Sequence, residues 1–308
     1  MIPIIRLILV LLIAIVVSGC QKKQGRLEWT SIDVNTPYTQ ADANLLIFDG
    51  TNHVLLDTGS RQSGEQLIAF LQGKKCRSIR SIIITHGHRD HYGGMIPLLK
   101  SGIAIGCVYF NPPPADLVTN EPWGCSNEEI AEIKAELQKR NIPLKAMDKD
   151  TEWFLGENAA MRVICAFNGI DTPVGRTDIN DTSTVIMLTH KNIKIIFAAD
   201  LDRAIGGYLA GNAPPDLLRA DILKFPHHGT ESFPSNSFFA AVNAKAFIIP
   251  AQKQLWLSAR SSRARQLTKD MRVYVNGIEG NITVISDGDS FHIHPEHTGD
   301  ETIILPSP

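Results

Sequence analysis

The sequence predicts an α+β fold: two mixed β-sheets packed face to face and flanked by helices, an αββα sandwich. Three observations carry that prediction. Apolar runs of strand length open and close each half of the chain with helical patterns between them, and such segments bury their apolar faces by layering sheets under helices. The second half repeats the alternation of the first. A chain of 308 residues, 44% of them hydrophobic, is long enough to fill one core shared by two sheets.

Met1–Val17 is almost wholly apolar with one early cation, Arg6, and runs into Val17-Ser18-Gly19-Cys20. A short apolar stretch closed by small residues reads as a secretory leader rather than a membrane span. Its end resembles a bacterial lipoprotein signal, which implies cleavage before Cys20 and acyl chains on that residue. An uncleaved anchor is the alternative, and either one places the protein outside the cytoplasm on a membrane tether, the leaflet left open. Residues 1–19 are therefore expected to be a signal peptide, 20–26 a polar tether, and 27–308 a single domain.

Within that domain Leu27–Val34, Asn44–Asp49 and His53–Asp57 read as strands, the last two joined by a Gly50-Thr51-Asn52 turn with His53 beside it at the surface. Ser63–Gln72 has helical spacing through Leu67, Ile68 and Leu71, and Ile82–Ile84 is an apolar run of strand length. Ile103–Phe110 is a further strand. An insertion at about 111–142 follows, with Pro112-Pro113-Pro114, Trp123-Gly124 and a charged helix Asn127–Arg140. Trp153–Gly156 reads as a turn and Ala160–Ala166 as a strand. Thr184–Thr189 and Ile193–Ala199 form a hairpin, and Leu201–Ala210 is helical. Ile222–Phe225, Ala246–Pro250 and Arg272–Val275 are strands separated by helices, and Asn281–Ser286 with Phe291–His294 close the sheet.

Net charge is −2, which excludes binding of polyanions by bulk charge and leaves only a local patch for that purpose. Apart from Cys20, the cysteines Cys76, Cys107, Cys125 and Cys165 have no zinc-clip spacing. Disulfides and buried free thiols are both open to them.

The chemistry concentrates after Ile84, where His86, His88, Asp90 and His91 fall within six residues. Each would need its own hydrogen-bond partner if buried as packing; imidazole nitrogen and carboxylate oxygen instead suit zinc, manganese or iron. His86 and His88 converge on one ion, while Asp90 and His91 diverge from them toward a second. Gly93 and Gly94 let the backbone pass close beneath.

His86-x-His88-x-Asp90-His91 after an apolar strand, preceded by Leu55-Leu56-Asp57-Thr58-Gly59, resembles the metallo-β-lactamase superfamily of metal-dependent hydrolases. Phe197-Ala198-Ala199-Asp200 and Lys224-Phe225-Pro226-His227-His228-Gly229-Thr230 are similar to the ComEC-type branch, named for the domain of competence proteins. The resemblance implies the metallo-β-lactamase fold and one or two divalent ions, zinc or manganese. Asp200 is expected to bridge them, with the cap of the following helix as its other role. His227 and His228 sit on an extended segment whose side chains alternate, so one reaches the metal and the other substrate or a proton. The family's habit of placing the ligand before a glycine favours His228 as ligand and leaves His227 catalytic.

The family's third histidine for the first ion is missing. Asp178-Ile179-Asn180-Asp181-Thr182-Ser183 stands in its place, where Asp181 either completes the shell or caps a turn. The expected reaction is attack by a metal-activated water, held by Asp90, on phosphorus or a carbonyl. The resemblance favours phosphoester or phosphodiester bonds, nucleic acid being one candidate polymer. Esters, lactones or phosphorylcholine-type surface substrates are the alternative, and a non-catalytic metal-binding lipoprotein a third.

Arg260 and Arg263, with Arg265 and Lys269 on the helical segment Ser258–Asp270, would grip phosphates if that face meets the groove, and are otherwise a solvated basic helix. Where the family often carries a histidine-proline pair, Gln254–Ala259 stands instead. Trp123 either borders the groove and contacts substrate or serves a structural role. His292, His294 and His297 lack a companion carboxylate or cysteine and read as strand-edge residues.

Overall fold

In a computed structural model describing residues 25–297 except 38, 168–170, 177 and 215, the isoleucine run forms a strand, Ser81–Ile84, with every residue buried. The leader, Cys20 and nearly all of the tether lie outside the described residues. Side chains alternate across a strand, so Ile82 and Ile84 face helices while Ile83 faces the opposite sheet. A strand covered on both sides needs no polar face, which is why this segment is continuously apolar.

The first sheet begins with β1 (Leu27–Ser31), β2 (Asn44–Phe48), β3 (Asn52–Leu56), β4 (Ser81–Ile84), β5 (Val108–Phe110) and β6 (Leu144–Lys145). The second holds β7 (Glu152–Gly156), β8 (Ala159–Cys165), β9 (Val185–His190), β10 (Ile193–Phe197), β11 (Ile222–Lys224), β12 (Ala246–Ile249) and β13 (Arg272–Val275). β14 (Ile282–Ser286) and β15 (Phe291–Pro295) return to the first. Strand order is β15-β14-β1-β2-β3-β4-β5-β6 in one sheet and β13-β12-β11-β10-β9-β8-β7 in the other. Each sheet is antiparallel on one side and parallel on the other: β3, β4 and β5 run parallel, as do β10, β11, β12 and β13.

Between the sheets Trp29, Leu46, Val54 and Ile83 meet Met161, Leu188, Ile195 and Ile248, and the Trp29 ring stands edge-on to Phe197 at 4.8 Å. The outer face of the first sheet is covered by α1 (Gly64–Gly73), α3 (Met95–Lys100) and α4 (Asn127–Lys139), with the short α2 (Arg89–Tyr92) leading into α3. The second sheet is covered by α5 (Arg203–Asn212), α6 (Asn236–Val242) and α7 (Ser262–Thr268), which bury Ile205, Phe238 and Ala264. The αββα expectation holds.

Several local expectations change. Ile103–Phe110 is not one strand: Ala104–Ile105 pairs with Ser78–Ile79, and the chain breaks at Gly106, where an added Cβ would lie 2.6 Å from the Arg80 carbonyl. Trp153–Gly156 is strand rather than turn because it pairs with β8. His53 is 9% exposed, not at the surface, since Arg80 donates its backbone N–H to the His53 carbonyl and draws that segment over it. Ser258–Asp270 divides into a 3-10 turn, Ala259–Ser261, and α7. The four cysteines of the described residues are free. Among the described residues no helix is long and apolar enough to cross a membrane.

Candidate metal centre

Four parallel strands end at one rim. Asp57 follows β3, His86 follows β4, Asp200 follows β10 and His228 follows β11, and ligands gather beyond the carboxyl ends of parallel strands. The backbone there is strained: φ is 58° at Asp57 and 50° at each of Ala199, His227 and His228, a left-handed region that non-glycine residues occupy at a cost of about 1–3 kcal/mol each.

Each imidazole in the cluster has one nitrogen engaged and the other turned inward. His228 Nδ1–H donates to the Pro250 carbonyl at 2.7 Å, and His91 Nδ1–H donates to Asp57 Oδ2 at 2.9 Å. His88 Nε2–H donates to Glu121 Oε2 at 3.1 Å, and His86 Nδ1 lies 3.3 Å from Thr85 Oγ1. Such outer partners fix the tautomer and leave a lone pair on the inward nitrogen. The inward atoms then crowd together. His91 Nε2 is 3.2 Å from Asp200 Oδ1, and His228 Nε2 is 3.2 Å from Asp90 Oδ2 and 3.3 Å from Asp200 Oδ2. His86 Nε2 is 3.3 Å from His88 Nδ1 and 3.9 Å from Asp200 Oδ2.

Asp90, His91, Asp200 and His228 each offer an atom within 4.8 Å of the others. His86 and His88 form an adjoining pair, His86 Nε2 approaching the same Asp200 Oδ2 as His228 does. His91 Nε2, His228 Nε2 and Asp200 Oδ1 are buried without a hydrogen-bond partner, an arrangement costing about 1–3 kcal/mol for each group if nothing else satisfied it. A divalent cation fits those orphaned atoms.

The electrostatics point the same way. Burial works against charge on His91 and His228, yet Asp200 overcomes it, aided by Asp57 at His91 and Asp90 at His228; His91 is held well above the ordinary imidazole range and His228 is raised to about 9. Burial would raise Asp90 and Asp200, but their histidine partners hold both below the usual carboxylate range. Burial first, and His91 beside it, push His86 well below the ordinary imidazole range, Asp200 opposing from a longer distance. These directions favour positive charge on His91 and His228 while no cation is present, and a cation would compete for the same two nitrogens.

A second layer lies behind. Asp57 accepts from Thr85 N–H and Thr85 Oγ1–H at 2.8 Å each, as well as from His91. The ammonium of fully buried Lys224 touches Asp42, whose carboxylate lies 4.0 Å from His91 Nδ1. Burial pushes Lys224 down to about 7, and the Asp42 contact works the other way. Asp42, Asp57 and His91 also approach one another closely, and with that ammonium beside Asp42 the group serves to orient His91.

The structure thus brings together His86, His88, Asp90, His91, Asp200 and His228. His227 lines the cavity beside them, its Nδ1 3.3 Å from Ser232 Oγ. The two histidines part company because of a 3-10 turn with left-handed backbone, not because of strand alternation. Asp181 does not join the cluster: its Oδ1 accepts the Ile205 N–H at 3.3 Å and ties the turn to α5. Nor do Arg260 and Arg263 line the cavity. Arg260 pairs with Glu231, and Arg263 donates to the Phe233 and Pro234 carbonyls while lying 4.1 Å over the Phe233 ring. His292 and His294 project from the exposed face of edge strand β15.

Asp57 beside His91, Glu121 beside His88 and Asn180 in the cavity wall are positions the motifs did not foretell. A carboxylate directly after a buried strand is a readable signal; Glu121 in the insertion has none. The cavity beside the cluster measures about 360 Å³, and Trp123 stands at its mouth, 71% exposed and 5.2 Å from the His88 ring.

Comparison with known proteins agrees with this geometry. The family model for the metallo-beta-lactamase superfamily matches residues 39–109. Over 71 residues, 22% of the chain, the sequence is 37% identical to Metallo-beta-lactamase domain-containing protein 1 of Xenopus laevis, and the match spans 30% of that protein's length. The metallo-beta-lactamase fold protein YhfI from Bacillus subtilis superposes with a TM-score of 0.53 at 12% identity over 85% of this chain and 99% of that one. A CmlA beta-hydroxylase mutant gives 0.52 at 12% identity, covering 84% of this chain and 53% of that one. These two likenesses establish the fold.

Proposed function

We propose that this chain, whose family match and fold support membership of the metallo-β-lactamase superfamily, is a metal-dependent hydrolase of phosphoester or phosphodiester bonds in small substrates. The observation that carries the reading is the set Asp90, His91, Asp200 and His228, with His91 Nε2, His228 Nε2 and Asp200 Oδ1 left orphaned in it, and His86 and His88 adjoining it through His86 Nε2, 3.9 Å from Asp200 Oδ2. His86, His88 and Asp200 would hold one divalent ion; Asp90, His91, His228 and the same Asp200 would hold the other. Zinc or manganese bound there supplies Lewis acidity, lowering the pKa of a bound water to near 7 and drawing charge from a phosphoryl oxygen.

Asp90, 17% exposed while His91 and His228 are fully covered, faces the cavity and orients the attacking water. Burial pulls His227 below the ordinary imidazole range. Largely uncharged at neutral pH, it offers its ring nitrogens to substrate or to a proton in transit beside the ions. Thr39, Gln40, Ser60 and Gln62 give the cavity neutral polar walls, and Arg89 is held by Glu129 at 2.9 Å and by the Pro122 carbonyl at 3.0 Å. With Arg260 and Arg263 engaged elsewhere, that lining favours a small phosphoester over a polynucleotide, whose binding needs a run of free cations. In this reading the leader and Cys20 hold the enzyme outside the cytoplasm on a lipid anchor.

The test is a substrate panel on protein reconstituted with manganese or zinc: p-nitrophenyl phosphate, bis-p-nitrophenyl phosphate, single-stranded and duplex DNA, p-nitrophenyl acetate and nitrocefin. Turnover of the first two, lost by at least about tenfold in a His86→Ala, His88→Ala double variant, is expected. Cleavage of acetate or nitrocefin alone would transfer the fold to carbonyl chemistry. Preference for DNA would restore the polymer, and metal uptake without turnover of any substrate would make the protein a binding module.

A further inference from the structure

Resting on the metal-centre reading, we infer that the side-chain oxygen of Asn180 is the remaining protein ligand of the first ion, the one held by His86 and His88. Two imidazoles and a shared carboxylate are three protein donors, and a bound water completes an open tetrahedral site, so an ion that takes six donors has room for a further protein ligand. Beside His88 and the 3-10 turn three carboxylate or amide side chains come into question: Glu121, Asp181 and Asn180.

Two of them are engaged. Glu121 spends Oε1 on the Ile179 N–H at 3.1 Å and Oε2 on His88 Nε2. Asp181 holds α5 through the Ile205 N–H. The third is Asn180. It lines the cavity with His88 and Asp200, is 6% exposed, and its Oδ1 is buried with no hydrogen-bond partner. A buried amide oxygen without a partner costs about 1–3 kcal/mol, and nothing else in the segment recovers it.

Its neighbours show how the position is held. Thr182 Oγ1–H donates to the Ile179 carbonyl at 2.7 Å, and Ser183 Oγ accepts the Asp200 N–H at 3.2 Å. The Asp181 N–H donates to Asp178 Oδ1 at 3.0 Å. The 3-10 turn Asn180–Thr182 is therefore fastened on either side of Asn180, and one of its fastenings reaches a shared ligand.

The donor type has consequences. An amide oxygen is neutral and hard, suited to manganese or magnesium more than to zinc. The first set then carries only the shared carboxylate, whereas the second has Asp90 as well. The ions bind unequally, with the His86 side the weaker.

The test is metal titration of the full-length apoprotein with manganese and with cobalt, followed by calorimetry, elemental analysis and the cobalt visible spectrum. Wild type is expected to take two equivalents of unequal affinity. Asn180→Ala should weaken only the looser one, by more than the roughly 10–100-fold that loss of an outer partner costs, and should change the spectrum of that cobalt alone. Asn180→Asp, nearly the same shape but anionic, should tighten the looser equivalent and carries the test if the alanine variant does not fold. Unchanged affinities in both variants would overturn the assignment, as would loss of the tighter equivalent. Wild type that takes up no metal would overturn the metal-centre reading along with it. Full uptake with no turnover of the substrate panel would leave Asn180 in place and remove only the hydrolase.

Discussion

Asp57→Asn separates an orienting carboxylate from a merely buried one. Asp57 is 1% exposed and accepts three hydrogen bonds, one at Oδ1 from Thr85 N–H and two at Oδ2 from Thr85 Oγ1–H and His91 Nδ1–H. Asparagine keeps the shape and tolerates the left-handed φ of 58° at least as well, so no backbone penalty confuses the result. Its amide oxygen can serve Thr85 N–H, and the Thr85 hydroxyl can turn to accept. His91 cannot adjust without harm: facing an NH₂ group, Nδ1 must accept, and the proton moves to Nε2, the atom 3.2 Å from Asp200. His91 then has no lone pair for an ion. Affinity for the tighter equivalent should fall about 10–100-fold, or roughly 1.4–2.7 kcal/mol.

Losing a hydrogen bond to a charged acceptor costs metal-free protein about 1.5–3 kcal/mol. With an unfolding entropy near 2.1 cal/mol/K per residue, each kcal/mol is about 2 °C for a domain of this size, so Tm should drop by roughly 3–6 °C. Competition against a chromophoric chelator measures the first quantity, and a melt in excess chelator the second. A metal affinity within threefold of wild type, even with a lowered Tm, would show that Asp57 is packing and that the tautomer argument is wrong.

Gly94→Ala should destabilise the fold by about 1–3 kcal/mol or more, because the added Cβ would lie 2.0 Å from the Thr58 carbonyl; a melt unchanged within 1 °C (about 0.5 kcal/mol) would contradict the close approach. Trp123→Ala should leave Tm unchanged, the ring being 71% exposed, and raise KM more than it lowers kcat on whichever substrate the panel identifies; a pure kcat effect would remove Trp123 from substrate binding. Asp33 is raised above its ordinary 3.8, chiefly by burial, which the Asn35 hydrogen bonds only partly offset. The folded state therefore binds more protons than the unfolded state just above pH 3.8, and stability falls as pH rises through that window. Asp33→Asn should melt higher than wild type at neutral pH and converge with it in stronger acid; a constant difference across the range would refute the linkage. Unreduced, denatured protein should expose Cys76, Cys107, Cys125 and Cys165 to a thiol reagent, all being free, while in the native state burial raises Cys125 to about 11 and Cys165 to about 12 and should keep both unreactive. Any shortfall among those four would reveal a disulfide.

Particular residues show how far local reading reaches. The run Ile82–Ile84 declared a strand buried on both faces, and His86, His88, Asp90 and His91 declared ligand chemistry, because strand period and donor type are properties of a few adjacent residues. Asp181 and Asn180 are adjacent and both carry oxygen donors, yet a helix amide claims one and leaves the other facing the cavity. Arg260 and Arg263 read as a phosphate grip, but the carboxylate and carbonyls that occupy them come from residues about 30 positions away. His53 looked exposed until a segment beyond the following helix folded over it.

The amino-acid sequence alone determined most of the strands and helices, though not the break at Gly106 or the strand Glu152–Gly156, and it showed where metal-binding donors are dense and that the layers are two sheets under helices. Which donors meet was decided by tertiary structure. Two sheets each place parallel strands at one rim, and Asp57, His86, Asp200 and His228 stand just past those strand ends. Hydrophobic burial, which is non-directional, brings the sheets together. Strand order and register, fixed by the alternation of side chains across two packed faces, aim the donors at one another.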